Sequence, residues 1–153
     1  MTRRYDIDSV EDAFTRFLNE GNYRKTPERF AILRKAIELH SHFDVDALHM
    51  AIENDGYHVS RATVYNTVEL LEKAGILKKN IFGQNSAMYE VHHDNHIHLV
   101  CKKCGMIREI ENTHIAGHVM QLHPVDFTPE GFSITIYGVC HSCMEAAGVN
   151  DNL

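Results

Sequence analysis

At 153 residues, 44% hydrophobic and 24% charged, the chain can bury one core or two small ones, and no apolar run nears a membrane span. No basic and apolar leader opens it, so a cytoplasmic location with reduced thiols is expected. The net charge of −6 argues against a uniformly basic nucleic-acid binder, yet residues 1–83 hold 12 Lys/Arg against 13 Asp/Glu while residues 84–153 hold 3 against 8, so the front half needs only a local basic face to meet DNA. In that half Val10, Phe14, Phe17 and Leu18 make one helical stripe, ended by Gly21. Thr26 and Pro27 are expected to cap and open a second helix with Phe30, Leu33 and Ile37 inward. A third runs from Asp44, with Val45, Leu48 and Ile52 inward, to Asn54-Asp55-Gly56. Ser60 opens a fourth, Arg61 to Gly75, with Val64, Val68 and Leu71 buried. Two short helices about a Gly-containing turn fit a helix-turn-helix, and a hairpin of Ile76–Lys79 and Ala87–Val91 would make it winged. A three-helix bundle with an attached ribbon fits the same pattern. From residue 92 the chain reads as a small α/β unit: strands at Leu99–Cys101, Met106–Ile110 and Phe132–Val139, with a helix from Thr113 to His123 between the last two.

All four cysteines lie in two pairs, Cys101/Cys104 and Cys140/Cys143, each a Cys-x-x-Cys turn. Two such pairs suit a closed tetrahedral zinc site, whereas a disulfide framework belongs to small secreted scaffolds. His96 and His98 carry a second signal. On a strand they share one face, and Ile97, Leu99 and Cys101 take the other. One ion could hardly use both sets, so two separate metal sites are expected, the alternative being a solvated histidine face. Histidine is in excess, at 12 residues.

Arg61-Ala-Thr-Val-Tyr-Asn-Thr-Val, Leu71-Glu-Lys-Ala-Gly-Ile, His96-x-His-x-x-Cys-x-x-Cys-Gly and the late Cys-x-x-Cys, in this order, resemble the ferric uptake regulator (Fur) family of dimeric, metal-dependent bacterial repressors. The likeness spans Tyr23 to Cys143. It implies an α+β architecture, with a winged-helix DNA-binding domain and hinge at 1–90 and an α/β dimerisation domain at 91–153. It implies structural Zn(II) on Cys101, Cys104, Cys140 and Cys143, and an inter-domain regulatory ion on His42, Glu90, His96, His98 and Glu109. A further dimerisation-domain metal site of many relatives falls here on Asn95, Ile97, Ala116 and Phe132, and is expected to be absent. His92, His93, Asp94, His114, His118 and His123 stay unassigned, as a histidine-rich surface or a substitute site.

The implied partners are a second copy of the chain and a palindromic, A/T-rich DNA duplex. The Ser60-led helix would enter the major groove, with Tyr65 against thymine methyls and Asn66 on base edges. Arg61 and Thr63 would meet phosphates, Arg24 the minor groove, and Arg29, Lys78 and Lys79 the backbone. Nitrogen and oxygen donors without thiolate suit several divalent ions. Fe(II) is the expected regulator, with Mn(II), Co(II) or Zn(II) able to substitute, because the thiols are taken and peroxide-sensing relatives tend to have aspartates at positions 90 and 109. Sensing of peroxide, zinc, manganese or nickel is the alternative within the family.

An enzyme is not expected. A zinc deaminase needs His-x-Glu with Pro-Cys-x-x-Cys, and His-Glu-x-x-His is likewise missing. A zinc-dependent enzyme would also need a general base that nothing here nominates. A thiol redox protein needs one Cys-x-x-Cys rather than two at zinc spacing.

Overall fold

The computed structural model describes residues 6–83, 87–91, 96–110, 113–122, 125–129 and 131–148, and among these residues it holds six helices and five strands. The chain divides into two compact units, Met1–His92 and His93–Leu153.

The first unit holds α1 (Ile7–Glu20), α2 (Pro27–Glu38), α3 (Val45–Asn54), α4 (Arg61–Lys73), β1 (Leu77–Ile81) and β2 (Ala87–Val91). Its core is built by the residues whose spacing marks the helices as amphipathic: Phe14, Leu18, Leu33, Ile37, Leu48, Ile52, Val64, Val68 and Leu71 are all buried. Phe30 packs at its rim, edge-on to Phe14 at 5.7 Å. α3 and α4 start on real side-chain caps: Asp44 accepts from the Ala47 N–H at 2.7 Å and Ser60 from the Thr63 N–H at 3.0 Å.

One expected helix cap needs correction. Thr26 occupies the N-cap position of α2 but makes no side-chain cap. It hydrogen-bonds Glu28 instead, whose carboxyl is held below its ordinary range first by its own backbone N–H and then by Thr26. Gly21 ends α1 at an ordinary φ of −83°, and Asn22 takes the left-handed turn at φ 54°. The Tyr23 ring lies over Gly21, where a Cβ would sit 2.2 Å from it and the ring would have to shift. Gly21 and Gly75 both end their helices as expected, and Gly75, at φ 71°, closes α4 with the Ile76 N–H on the Leu71 carbonyl at 2.9 Å.

β1 and β2 pair antiparallel, Leu77 opposite Val91. Phe43 adds a single rung beside β2, giving its N–H to Tyr89 O (3.0 Å) and taking the Tyr89 N–H (2.7 Å). Helices α2–α4 with this ribbon form a winged helix. The tip of the hairpin, residues 84–86, lies outside the described residues.

The second unit holds β3 (Ile97–Cys101), β4 (Ile107–Ile110), α5 (Thr113–Gln121), β5 (Ile134–Gly138) and α6 (His141–Ala146). The sheet order is β4-β3-β5, with β4 antiparallel and β5 parallel to the central strand. The expected helix stops two residues short of His123, which lies outside the described residues. The alternation along 132–137 does not divide buried from exposed: Ile134 and Thr135 are half-buried while Ile136 and Tyr137 are exposed. α6 was not expected. Among the described residues, no helix is long and apolar enough to cross a membrane.

Candidate metal centres and nucleic-acid interface

The four cysteines converge because two turns at one end of the sheet face each other. Cys101 ends β3, and the chain folds straight back: the Gly105 N–H reaches Cys101 O at 2.9 Å and the Cys101 N–H reaches Met106 O at 2.9 Å. Cys101 also pairs with Gly138 across β3–β5, which delivers Cys140 beside it. There the Cys140 N–H donates to Cys101 Sγ at 3.3 Å, and Cys104 Sγ lies 3.7 Å from Cys140 Sγ. Sulfur atoms of all four lie within 4.8 Å of one another, and none is in a disulfide. Backbone N–H groups from Cys104 and Cys140 aim at Cys101 and pull its thiol down to about 6, while hydrogen bonding among the sulfurs, from Cys140 first, pushes Cys143 up to about 12. One thiolate ready at neutral pH beside three more sulfurs is a donor set that fits tetrahedral zinc.

The expected nitrogen and oxygen donors form a set within each unit. In the first, the Phe43–Tyr89 rung carries its neighbours His42 and Glu90 together, and His42 Nε2 stands 3.0 Å from Glu90 Oε2. The other carboxylate oxygen accepts from Asn80 Nδ2 at 2.6 Å, and His42 packs edge-on against the buried Phe82 ring at 5.6 Å. Asn80 and Phe82 are parts of this arrangement that sequence reading missed. No sequence signal marks them, because the expected strand ends at Lys79 and the burial of Asn80 is visible only in the folded chain.

In the second unit His96 and His98 do share a face. Their Nε2 atoms meet at 2.9 Å, with ring centroids 4.4 Å apart. Both are buried, His98 completely. Glu109 stands opposite His98 in the β3–β4 register, and its carboxylate lies 3.9 Å from His96 Nε2. These donors are distinct from the sulfur cluster, as alternation along the strand requires.

Four of the eight residues expected at DNA line one cleft of about 420 Å³ beside the start of α4: Arg24, Arg29, Thr63 and Asn66, together with His58 and Ser60. Arg29 reaches across to the Arg24 carbonyl. Tyr65 is exposed on the same helix. Arg61 is placed differently. It forms a two-pronged ion pair with Asp46 of α3, Nε to Oδ1 at 2.6 Å and Nη2 to Oδ2 at 3.0 Å, both side chains largely exposed.

The Ferric uptake regulator family profile matches residues 20–137, which covers α2–α4, the ribbon and most of the sheet, with His42, Glu90, His96, His98, Cys101, Cys104 and Glu109 inside the match and Cys140 and Cys143 just beyond it. The chain belongs to the Fur family. It is similar to the Peroxide-responsive repressor PerR of Staphylococcus aureus (strain USA300), with 31% identity over 145 residues covering 92% of this chain and 97% of the relative. Among solved structures it resembles the ferric uptake regulator of Francisella tularensis with iron, at 28% identity and TM-score 0.67, covering 79% and 94% of the two chains. The Helicobacter pylori Fur structure, at 17% identity and TM-score 0.76 with 94% and 97% coverage, shares the fold. As a Fur-family protein this is a metal-responsive transcriptional regulator with a sulfur cluster and nitrogen-and-oxygen donors as candidate metal ligands, in a family that binds DNA and dimerises.

Proposed function

We propose that this Fur-family protein is an Fe(II)-dependent repressor acting in the cytoplasm. In this reading His42 and Glu90 of the first unit join His96, His98 and Glu109 of the second around one regulatory ion. The observation that carries the proposal is that each unit brings imidazole and carboxylate donors together without a thiol among them, Glu90, His96 and His98 being buried and Glu109 standing at the exposed edge. An ion supplies charge and fixed coordination directions, and the protein's part is to hold the donors unprotonated and aligned. Asn80 and Phe82 do this for Glu90 and His42, and pairing of β3 with β4 does it for His98 and Glu109. Driving a hinge from 1:99 to 99:1 takes about 10⁴-fold preference, roughly 5.5 kcal/mol, which several metal–ligand bonds can provide. Zn(II) on the four cysteines serves the fold of the second unit.

The DNA surface would be the cleft at the head of α4, and a homodimer would present two such surfaces to a palindromic, A/T-rich operator. Dimerisation through the second unit is supported by its exposed apolar residues, among them Ile115, Leu122, Phe127, Ile136, Tyr137 and Val139. The test is a gel-shift titration of zinc-loaded protein on such a duplex with Fe(II), Mn(II), Zn(II) or chelator, repeated with His96→Ala. Fe(II) should promote binding in the parent and fail in the variant. Binding indifferent to both would end this reading.

Peroxide sensing is the second reading, favoured by the 31% identity to the staphylococcal peroxide-responsive repressor. Brief peroxide treatment of the iron-loaded protein separates the two. If DNA binding is lost and fresh Fe(II) does not restore it, the protein senses peroxide; if it recovers fully, it reads iron.

A further inference from the structure

A pair of histidines on α5 belongs to neither donor set described above. His114 and His118 sit one turn apart, i and i+4, on a nine-residue helix, and both are exposed. Residues at this spacing lie on one helix face with Cβ atoms about 5–6 Å apart, the separation at which two imidazoles can grip one ion. The ring of His118 is also oriented. Its Nδ1 lies 2.8 Å from the His114 carbonyl oxygen. A carbonyl only accepts, so Nδ1 carries the proton, and in the neutral ring the lone pair is left on Nε2. A backbone carbonyl holding the far nitrogen is the usual support of a metal-bound histidine.

The helix between the two rings is intrinsically weak. The chelate turn encloses Ile115, Ala116 and Gly117, and glycine is among the poorest helix formers. An ion gripping both rings binds the helical form and not the coil, so its binding would stabilise α5.

We propose that His114 and His118 chelate a divalent ion of the Ni(II)/Cu(II) class, which favours imidazole and completes its coordination with water, and that this ion orders α5 independently of the regulatory and sulfur sites. The probe is Ni(II) added to zinc-loaded full-length protein, read by equilibrium dialysis and by hydrogen exchange over α5. His114→Ala and His118→Ala should each bind one ion fewer per chain than the parent, and Ni(II) should slow α5 exchange in the parent and in His96→Ala but not in His118→Ala. Gly117→Ala should slow α5 exchange without metal, since a Cβ there meets nothing within 4 Å, and should shrink the further effect of Ni(II). Undiminished Ni(II) stoichiometry in both histidine variants, or α5 exchange unmoved by Ni(II) in the parent, would overturn the proposal. DNA binding is not among the readouts, so the outcome does not depend on the regulatory reading.

Discussion

Asn80 is the residue on which the first donor set turns. Its amide occupies one oxygen of a buried carboxylate, leaving the other aimed at His42. Removing a supporting partner of a ligand typically costs 10–100-fold in metal affinity. Asn80→Ala should therefore weaken Fe(II) or Mn(II) binding to zinc-loaded protein by about that factor while the helical fold survives; an unchanged affinity in a competition titration would show that Glu90 needs no such support. Asp46 makes a second case at the same scale. It holds both prongs of Arg61, a residue expected on phosphate, so DNA must compete with an internal carboxylate for that guanidinium. Asp46→Asn should raise affinity for non-operator duplex and steepen the salt dependence by about 0.9 in log K against log salt, the increment for one added phosphate contact. The gain should vanish in the double variant with Arg61→Ala. If affinity falls instead, Asp46 positions Arg61 and does not restrain it. Cys101 supplies a pH test. Its thiol, lowered to about 6 from an ordinary 9, favours the folded metal-free protein at high pH, a contribution lost as pH falls from about 9 through about 6. Zinc affinity measured against a chelator at pH 8.5, 7 and 6 should drop across that window.

Among the elements, α2 and α4 offer a matched comparison. Both begin at a residue that sequence reading marks as a cap, but only Ser60 accepts a backbone N–H; Thr26 is turned to Glu28. Ser60→Ala should cost about 0.5–2 kcal/mol by urea unfolding, and Thr26→Ala distinctly less. Equal losses would mean that the caps are interchangeable. The helices were legible because one apolar stripe per helix decides which face is buried, and Leu48, Val64 and Leu71 follow it directly. α6 was not legible: six residues around Cys143 have too few turns to show a period, and Cys143 N–H to Cys140 O at 3.0 Å makes the helix partly a product of the cysteine turn. Likewise the spacing of the thiols and of His96 and His98 could be read directly, because turns and strands impose it. The contacts of Asn80 with Glu90 and of Asp46 with Arg61 join residues 10 and 15 positions apart, and only the folded chain brings them together.

At the scale of the whole molecule the two units differ in what stabilises them. The contiguous buried cluster lies in the first, from Phe14 to Val91. In the second, the buried apolar residues among those described are Ile97, Val100 and Cys101, beside two buried histidines. With so thin a core, the second unit is expected to depend on the zinc proposed for its four cysteines. A structural zinc supplies on the order of 10–16 kcal/mol, comparable with the ~5–15 kcal/mol stability of an ordinary domain. Zinc removal, or Cys101→Ser, should unfold the β3–β5 unit and abolish dimers while most helical circular dichroism survives. Cooperative loss of all structure at once would show that the first unit cannot stand without the second.

The single rung between Phe43 and Tyr89 has a consequence for anyone re-engineering the wing. Strand side chains swap sides with every step, so slipping that rung by one residue would turn His42 away from Glu90. Grafting the ribbon onto another scaffold would therefore transfer its shape but lose the His42–Glu90 pairing proposed to hold a cation, unless the short stretch ahead of α3 travelled with it.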